Sequence, residues 1–324
     1  MSRQLLILRH GKSDWGVEIK DFDRPLKKRG KRAAQRMGSW LQQQNLVSDY
    51  ILSSPAERAR NTAEKLAKAM GLTAQRVHYD SRLYAANQEH LKNALASCPP
   101  DAQRVLLIGH NPELESLLAF LSKDKLPTPD DGKLLPTATL AIFSMPDDWH
   151  ALNRGCGELL NIIRPADLPE SFPFNGLLGI EQRERPAYYY TQSAAIPYRI
   201  HNNELQILLI SSSGDNHWGI PKGIIEPGQS AAKSAAIEAW EEAGIEGIIS
   251  EQMLDYYLHE KWGSTCTVQV YPMLVTQMLN NEEWQESHRR RQWLPLQKAT
   301  FLIKQKALQA MFTSLATRLA SKTD

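Results

Sequence analysis

Apolar residues in the first half of the chain alternate between short continuous runs and helical spacing. Residues 5–8 and 105–108 are continuous runs typical of buried parallel strands, and residues 50–52 form a shorter one. Between the runs, apolar residues recur every three or four positions, as on amphipathic helices packed against a sheet. The helical positions are Leu26, Ala33, Met37, Trp40 and Leu41; Ala59, Ala63, Leu66, Ala67 and Met70; and Leu114, Leu117, Leu118 and Leu121. This alternation predicts a parallel α/β sandwich whose ligands bind at the carboxyl ends of the strands.

The periodic pattern stops between residues 167 and 186, where prolines and glycines punctuate the chain and no element is predicted. We therefore predict a linker over residues 169–187, between domains of residues 1–168 and 188–324. At roughly 150 residues per domain, the length of 324 residues also favours two domains. Beyond the linker the pattern predicts three elements. They are a hairpin of residues 194–200 and 205–211, a strand over residues 267–275 and a terminal helix over residues 301–320.

The composition is ordinary for a globular protein, with 42% hydrophobic and 23% charged residues. The net charge of +2 argues against a nucleic acid polymer or a membrane surface as partner. No window approaches the roughly 20 apolar residues that span a bilayer, and the first apolar run is too short for a signal peptide. Cys98, Cys156 and Cys266 are too far apart in sequence for a zinc ribbon or disulfide framework. We expect a soluble cytoplasmic protein; its oligomeric state is not predicted.

Three predicted strands of the first half end in residues suited to a phosphate group. The first ends at Arg9, His10 and Gly11, the second precedes Arg58, and the third precedes His110 and Asn111. Guanidinium groups bind phosphate oxygens bidentately, a neutral imidazole can attack phosphorus, and a second imidazole can donate to a phosphate oxygen. Glycine after the histidine lets the backbone approach the ligand. The alternative interpretation is that both histidines are buried, hydrogen-bonded structural residues.

These residues resemble the SixA-like branch of the histidine phosphatase superfamily. The matching segments, in family order, are residues 8–13, 23–26 with Gly30, 53–59 with Thr62, 83–84, 109–111 and 163–168. The resemblance implies a three-layer α/β/α phosphoglycerate-mutase-like sandwich. It also implies that His10 becomes phosphorylated and that Arg9, Arg58 and His110 stabilise the transferring group without a metal or cofactor.

The resemblance leaves the proton donor for the leaving group unassigned. Asp14 and Glu89 are loop candidates with no motif behind them. The lack of a recognisable acid favours a good leaving group, such as the imidazole of a phosphohistidine, which needs little help from an acid. The basic run of residues 27–32 lies on a predicted helix with a separate apolar stripe, so a solvated face is favoured over a polyanion site.

A predicted helix over residues 230–243 places Glu238, Glu241 and Glu242 on one face, because they are spaced i, i+3 and i+4. Ser230 is suited to begin this helix and Gly244 to end it. Three carboxylates on one face repel one another unless a cation neutralises them, and Mg²⁺ prefers oxygen ligands. The alternative interpretation is a solvated acidic helix.

The glutamates and their surroundings resemble the box of the Nudix hydrolases, G-x5-E-x7-R-E-U-x-E-E-x-G-U, in which U is a bulky apolar residue. Gly223, the three glutamates, Gly244 and Ile245 match, after the segment Trp218–Gly223. The resemblance implies an α/β/α Nudix fold with a mixed sheet, and a divalent Mg²⁺ or Mn²⁺ bound by Glu238, Glu241 and Glu242 that activates water. Gln229 and Ile237 stand where the family has a Glu–Arg ion pair, and losing both partners leaves no unpaired buried charge.

Downstream, Trp284, Arg289, Arg291 and Trp293 resemble a segment of Nudix enzymes that act on diadenosine polyphosphates or diphosphoinositol phosphates. Arginines there would hold a polyphosphate, together with Lys222 of the glycine-rich loop, and a tryptophan would stack a base. The alternative is that Trp293 belongs to the core and the arginines to a solvated turn. His217 and His259 have no recognisable partners.

Two hypotheses follow from these resemblances. The first is a bifunctional phosphohydrolase: the first half removes a phosphoryl group from a phosphohistidine or phosphoester, and the second cleaves a nucleoside or dinucleoside polyphosphate or another diphosphate linked to a moiety X. The second is an active histidine phosphatase regulated by a catalytically weak, ligand-binding Nudix-like module. Either one makes phosphorylated small molecules or a phosphohistidine protein the expected partners.

Overall fold

The computed structural model describes residues 3–176, 178–212, 214, 217–280 and 283–321. The chain divides into two compact units, Met1–Gln182 and Arg183–Asp324. Each is described separately below. No helix among the described residues is long and apolar enough to cross a bilayer.

The first unit is built on a six-stranded sheet. Its strands are β1 (Arg3–Arg9), β2 (Tyr50–Ser53), β3 (Val77–Tyr79), β4 (Arg104–Gly109), β5 (Leu140–Met145) and β6 (Glu158–Ile163), in the order β3-β2-β4-β1-β5-β6. Strands β1 to β4 are parallel, as predicted. The sheet is nevertheless mixed, because β5 and β6 are antiparallel additions that the apolar pattern did not predict.

Helices cover both faces of this sheet. They are α1 (Lys28–Gln43), α2 (Glu57–Ala69), α3 (Gln88–Ala96) and α4 (Glu113–Leu121). Successive side chains of a strand point to opposite faces, so β1 directs Leu5 and Ile7 into the core beneath α3 and α4. Leu6 and Leu8 enter the core beneath α1 and α2. The predicted three-layer sandwich is therefore confirmed.

The segment predicted as a linker without secondary structure forms a small sheet instead. Strands β7 (Phe172–Gly176) and β8 (Gly179–Arg183) pair with each other. Only Phe172 of this sheet is buried, under the guanidinium of Arg32, so no alternating apolar pattern marks the strands in the sequence. The prediction of an irregular segment was wrong for these residues.

The second unit contains an eight-stranded mixed sheet. The strands are β9 (Thr191–His201), β10 (Glu204–Ser211), β11 (Trp218–Gly219), β12 (Lys222–Ile224), β13 (Ile245–Ile249), β14 (Asp255–Lys261), β15 (Ser264–Met278) and β16 (Arg291–Pro295). Strands β9 and β15 are parallel and the other pairs are antiparallel. The predicted hairpin is β9–β10, and its turn residues Asn202 and Asn203 have φ of 51° and 62°, as hairpin turns require.

Helices again lie on both faces, as expected for this fold class. Helix α5 (Ala231–Ala243) packs its alanines on one face, and α6 (Leu296–Leu302) and α7 (Lys306–Ala320) pack on the other. The Ser230 hydroxyl accepts from the Lys233 amide at the start of α5, and Gly244 ends it with φ of 59°. The predicted helix over residues 301–320 is instead two helices, because Ile303 adopts extended backbone and is buried.

Candidate active sites

The two histidines of the first unit follow adjacent parallel strands. Arg9 at the end of β1 is in register with Gly109 at the end of β4, so the next residues, His10 and His110, emerge side by side. Their ring centroids are 5.0 Å apart and the rings are tilted by 55°. The predicted convergence at the strand ends is thus present in the fold.

His10 is held in one tautomer by its own backbone. Its Nδ1 lies 2.7 Å from the carbonyl oxygen of Gly11, and because a carbonyl only accepts, Nδ1 carries the proton. Burial lowers the pKa of His10 to about 4; the Gly11 carbonyl opposes this, and the charges of Arg58, Arg9 and Arg24 add to it. At neutral pH the imidazole is uncharged, and Nε2 presents a lone pair suited to attack phosphorus.

The ring of His110 is positioned by Ser54, which follows β2. His110 Nε2 and Ser54 Oγ are 2.8 Å apart. His110 Nδ1 is buried and has no hydrogen-bond partner among the described residues. Burial, with the charges of His10, Arg58 and Arg9, lowers the pKa of His110 to about 3, so this ring is also neutral.

The guanidinium of Arg58, in the first turn of α2, is held by Asp21. Arg58 donates to the Asp21 carbonyl at 2.5 Å and to Asp21 Oδ2 at 2.9 Å. Arg24 donates to the other carboxylate oxygen, and the Tyr84 hydroxyl donates to Oδ2 at 3.1 Å. Asp21 therefore occupies donors of the type that bind a phosphoryl group.

The glycine after His10 is closely packed. The Gly11 amide donates to Thr62 Oγ1 at 2.9 Å, and a Cβ on Gly11 would lie 2.8 Å from the Gly30 carbonyl oxygen. A Cβ on Gly30 would lie 2.4 Å from the Lys12 carbonyl oxygen. The loop that carries His10 thus packs backbone to backbone against the start of α1, which only glycine allows.

Arg9 and Asn111 meet at the carbonyl of Leu135. Arg9 Nη1 donates to it at 2.9 Å and Asn111 Nδ2 at 3.0 Å. Asn111 Nδ2 also donates to Glu115 Oε1 at 2.8 Å. The amide donor of Asn111 is therefore engaged by the fold, while its buried Oδ1 has no hydrogen-bond partner among the described residues.

In the second unit, Glu238 lies against the glycine-rich loop. A Cβ on Gly223 would be 1.9 Å from Glu238 Oε1, so this glycine makes room for the carboxylate. The pKa of Glu238 is raised to about 7, first by burial and then by the charges of Glu242, Glu241 and Glu286. Close, desolvated carboxylates of this kind are the donor set that suits a hard divalent cation.

Glu242 is engaged on both carboxylate oxygens. Oε2 accepts from the Lys222 amide at 2.8 Å, and Oε1 accepts from Arg289 at 2.7 Å. Arg289 also donates to Glu286 at 2.5 Å. Among the described residues no three His, Cys, Asp or Glu side chains are grouped as a metal site. The carboxylates of Glu238, Glu241 and Glu242 are of the chemical type that binds Mg²⁺, and Glu242 is held by Lys222 and Arg289.

The two arginines predicted to bind substrate differ in their surroundings. Arg289 lines a cavity of about 220 Å³ together with Lys222 and Glu242. Arg291 instead donates to the carbonyls of Ala243 and Leu279, both at 2.8 Å, and its guanidinium lies 3.4 Å from the centroid of the Trp284 ring. Burial lowers the pKa of Arg291 to about 10. Arg291 donates a hydrogen bond to an unpaired backbone carbonyl at the carboxyl end of α5. We therefore correct its assignment from a substrate-binding residue to a structural one.

Comparisons with known proteins agree with the division of the chain into two units. The model of the histidine phosphatase superfamily (branch 1) matches residues 5–86, and that of the NUDIX domain matches residues 190–314. An uncharacterized chloroplastic protein of Arabidopsis thaliana is 32% identical to this chain. The match covers 38% of this chain and 60% of that relative. Nudix hydrolase 17, mitochondrial, of the same plant is 30% identical over 39% of this chain and 73% of its own length. The chain joins a histidine phosphatase domain to a NUDIX domain.

One solved structure is also similar to the histidine phosphatase unit. It is the structure of the putative phosphohistidine phosphatase SixA from Nakamurella multipartitia, which is 32% identical to this chain. The match covers 51% of this chain and 97% of that chain, with a TM-score of 0.43. Histidine phosphatases and Nudix hydrolases cleave phosphate and pyrophosphate bonds. The chain is accordingly a two-domain phosphohydrolase. Nudix hydrolases generally require divalent metal ions.

Several residues of the histidine phosphatase site were not predicted from the sequence. Asp21, Ser54 and Tyr84 contact Arg58 or His110, and Arg24 shares Asp21. The positions of Arg24, Ser54 and Tyr84 in the matching segments were the available signal, whereas Asp21 lies outside those segments; the contacts join residues up to 63 positions apart. The two carboxylates considered as acids lie in other contacts: Asp14 pairs with Lys27 at 3.4 Å, and Glu89 pairs with Lys92 at 3.3 Å.

Proposed function

We propose that the histidine phosphatase unit hydrolyses its substrate through phosphorylation of His10 at Nε2. The observation that carries this proposal is the hydrogen bond from Nδ1 to the Gly11 carbonyl, which leaves Nε2 unprotonated. Arg9, Arg58 and His110 surround the phosphoryl group and stabilise its developing charge. Gly11 lies beside the phosphoryl group. Asn111 supports this pocket through its hydrogen bonds to the Leu135 carbonyl and the Glu115 carboxylate.

The proposed substrate is a phosphohistidine rather than a phosphoester. Asp21 accepts hydrogen bonds from Arg24, Arg58 and Tyr84, so its carboxylate is placed as an acceptor and not as a proton donor. An imidazole leaving group needs less protonation than an alkoxide. Comparing kcat/KM for phosphohistidine and phosphoserine peptides tests this preference, and equal values would contradict it.

A labelling experiment tests the covalent intermediate. Rapid quenching of the full chain with ³²P-labelled phosphohistidine peptide is expected to yield an acid-labile, alkali-stable phosphoenzyme. His10→Asn removes the nucleophile and should abolish labelling, whereas His78→Asn, on the exposed part of β3, should label as wild type. Labelling that persists in His10→Asn rules out His10 as the nucleophile.

For the NUDIX unit we propose hydrolysis of a nucleoside or dinucleoside polyphosphate, or of another diphosphate linked to X, with Mg²⁺ or Mn²⁺ held by Glu238, Glu241 and Glu242. The raised pKa of Glu238 among neighbouring carboxylates supports a cation at this position. A metal held by these three glutamates would polarise the pyrophosphate and activate water. Lys222 and Arg289 face the same cavity and bind substrate oxygens.

A matched pair of glutamate variants tests this second activity. Glu241→Gln in the full chain should lower metal-dependent hydrolysis of diadenosine tetraphosphate or a diphosphoinositol phosphate at least 100-fold, as removal of a catalytic group commonly does. Glu246→Gln changes an exposed glutamate of β13 and should leave hydrolysis unchanged. Equal hydrolysis by wild type and Glu241→Gln would show that this helix face does not hold the metal.

The regulatory alternative is supported by the engagement of Glu242 with Arg289, which keeps one proposed metal ligand in an ion pair. It predicts that the same substrates bind without turnover and change the phosphatase rate of the full chain. Turnover dependent on Glu241 excludes this alternative, whereas altered phosphatase rates without turnover favour it.

A further inference from the structure

Strand β13 lies at an edge of the NUDIX sheet. Among the described residues it pairs with β15 alone, so the backbone groups along its other side are open to a partner. Proteins commonly protect such an edge with a lysine, a proline or a bulge in the edge strand. Residues 245–249 include neither lysine nor proline, and the extra residue of the irregular pairing, Thr276, belongs to β15. The edge of β13 therefore lacks these protections against pairing with a further strand.

A groove of about 530 Å³, lined by β13 and α5, lies beside this edge. On the helix it is formed by Lys233, Ala236, Ile237 and Trp240, which recur every three or four positions and so share one side of α5. Ile237 is the residue that stands in place of the arginine of the Nudix box. On the strand, Ile248 is 67% exposed although it is a large apolar residue. Exposed apolar side chains next to an open strand edge are typical of a surface that binds another protein.

The groove carries opposite charges at its two ends. Lys233 is in the first turn of α5, and Glu246 is the second residue of β13. Gly244 alone connects α5 to β13, and both elements line the groove, so the chain reverses direction between them. Lys233 lies about 15 Å along the helix from this connection, whereas Glu246 lies close to it. Within the described ranges, neither side chain forms an ion pair.

This distribution of charge is complementary to itself. A two-fold axis perpendicular to the sheet and next to β13 makes the β13 strands of two copies antiparallel neighbours and keeps both α5 helices on the same face. Because the two strands run in opposite directions, Lys233 of each copy comes to the end of the groove that holds Glu246 of the other. The apolar side chains of Ile237 and Trp240 then face their counterparts between the two charged ends.

We propose that two copies of this chain associate through their NUDIX units, by pairing of β13 with β13 across a two-fold axis and by closure of the two grooves on each other. The proposed metal ligands are not part of this surface. Glu238 and Glu242 lie about 160° around the helix axis from Trp240, because successive residues are 100° apart. Association and hydrolysis are therefore independent properties of the unit.

Sedimentation velocity of the full chain over a range of concentrations tests the association. We expect a monomer–dimer equilibrium whose dissociation constant rises about 100-fold in Ile248→Lys, because the substitution places two charges in the interface. Leu258→Lys is the matched control, since Leu258 is 59% exposed on β14 of the same sheet, and it should associate as wild type. A full chain that stays monomeric would leave the edge to a strand of another protein and overturn the proposal. A dimer that Ile248→Lys does not weaken, or that both variants weaken equally, overturns it as well.

Charge reversal tests the two-fold arrangement itself. Lys233→Glu should weaken the dimer severalfold, and adding Glu246→Lys should restore it, because the charges that meet are then again of opposite sign. Both side chains are exposed, so thermal unfolding of the single and double variants should match wild type. A double variant that associates no better than Lys233→Glu overturns the proposed pairing of the two ends.

Hydrogen exchange measured by mass spectrometry locates the interface without any substitution. Amides of residues 245–249 should exchange severalfold more slowly above the dissociation constant than below it, because half of the strand's backbone groups gain a partner. Residues 255–261 of β14 should exchange equally at both concentrations. Protection of residues 255–261 without protection of residues 245–249 would place the interface on β14 and overturn the proposal.

Discussion

Ser54 Oγ and His110 Nε2 are 2.8 Å apart, in a contact that joins the ends of two neighbouring strands. A neutral imidazole carries one proton, so this contact decides which ring nitrogen is the donor. If the Ser54 hydroxyl donates to Nε2, the proton lies on the buried Nδ1, which has no other partner among the described residues. Ser54 is then a positioning residue that prepares His110 to donate to a phosphoryl oxygen.

We predict that Ser54→Ala lowers kcat of the phosphatase about 10- to 100-fold with little change in KM, because the lost contact matters most in the transition state. Ser116→Ala, at an exposed position of α4, is the control and should not change either constant. Steady-state kinetics with a phosphohistidine peptide measure both constants. A rise in KM at unchanged kcat would contradict a role in orienting His110.

Asp21 forms ion pairs with Arg24 and Arg58, so it competes with a phosphoryl group for the same donors. Asp21→Asn removes the negative charge, and we expect inorganic phosphate to inhibit this variant at severalfold lower concentration. The neighbouring Asp23→Asn variant, also exposed, should keep the wild-type inhibition constant. Weaker inhibition of Asp21→Asn would show that Asp21 mainly supports the two arginines.

The pH dependence of phosphatase activity below neutrality should reflect the burial of His10. The pKa of His10 is about 4, below the ordinary value of 6.5, so the nucleophile stays neutral through the weakly acidic range. A solvent-exposed imidazole would lose about tenfold in reactive form between pH 7.5 and 5.5. We expect kcat/KM with nitrophenyl phosphate, corrected for ionisation of the substrate, to be nearly flat over this range. A limb centred near pH 6.5 would contradict the burial of His10.

The same depressed pKa makes a prediction about stability. Between pH 6.5 and about 4 the unfolded chain binds a proton at His10 and the folded chain does not. The free energy of unfolding of the histidine phosphatase unit should therefore decrease as the pH falls through this window. Urea unfolding of His10→Asn should show a smaller decrease than wild type over the same interval, and an identical decrease would contradict the assignment.

In the NUDIX unit, Gly223 leaves room for the carboxylate of Glu238. A Cβ at Gly223 would overlap the Glu238 carboxylate, whereas a Cβ at Gly219 would meet nothing within 4 Å. We predict that Gly223→Ala lowers metal-dependent hydrolysis at least tenfold, because it displaces a proposed metal ligand. The phosphatase activity of the same preparations is the internal control for folding. Normal hydrolysis by Gly223→Ala would indicate that Glu238 does not act from this position.

The α/β class of the histidine phosphatase unit could be predicted from local pattern, whereas the fold of the NUDIX unit was implied by the resemblance of its motif. Continuous apolar runs that end in His10 or His110, and three glutamates spaced for one helix face, are properties of strand and helix periodicity. The antiparallel strand β6 could not be predicted in the same way, whereas β5 is a mostly buried apolar run that the sequence analysis did not recognise. Only Ile163 of β6 is buried, and Leu159 and Ile162 are partly buried, so this strand has no clear alternating pattern.

The sequence by itself determined which chemical groups are present and at which strand ends and helix faces they lie, because backbone periodicity sets both. Tertiary structure alone decided which of them meet. It brought Asp21 and Tyr84 to Arg58 and His110, used Arg291 to satisfy the end of a helix, and placed Lys261 beside Lys222. Such contacts depend on how distant segments pack, and the pKa values of His10 and Glu238 depend on the burial that results.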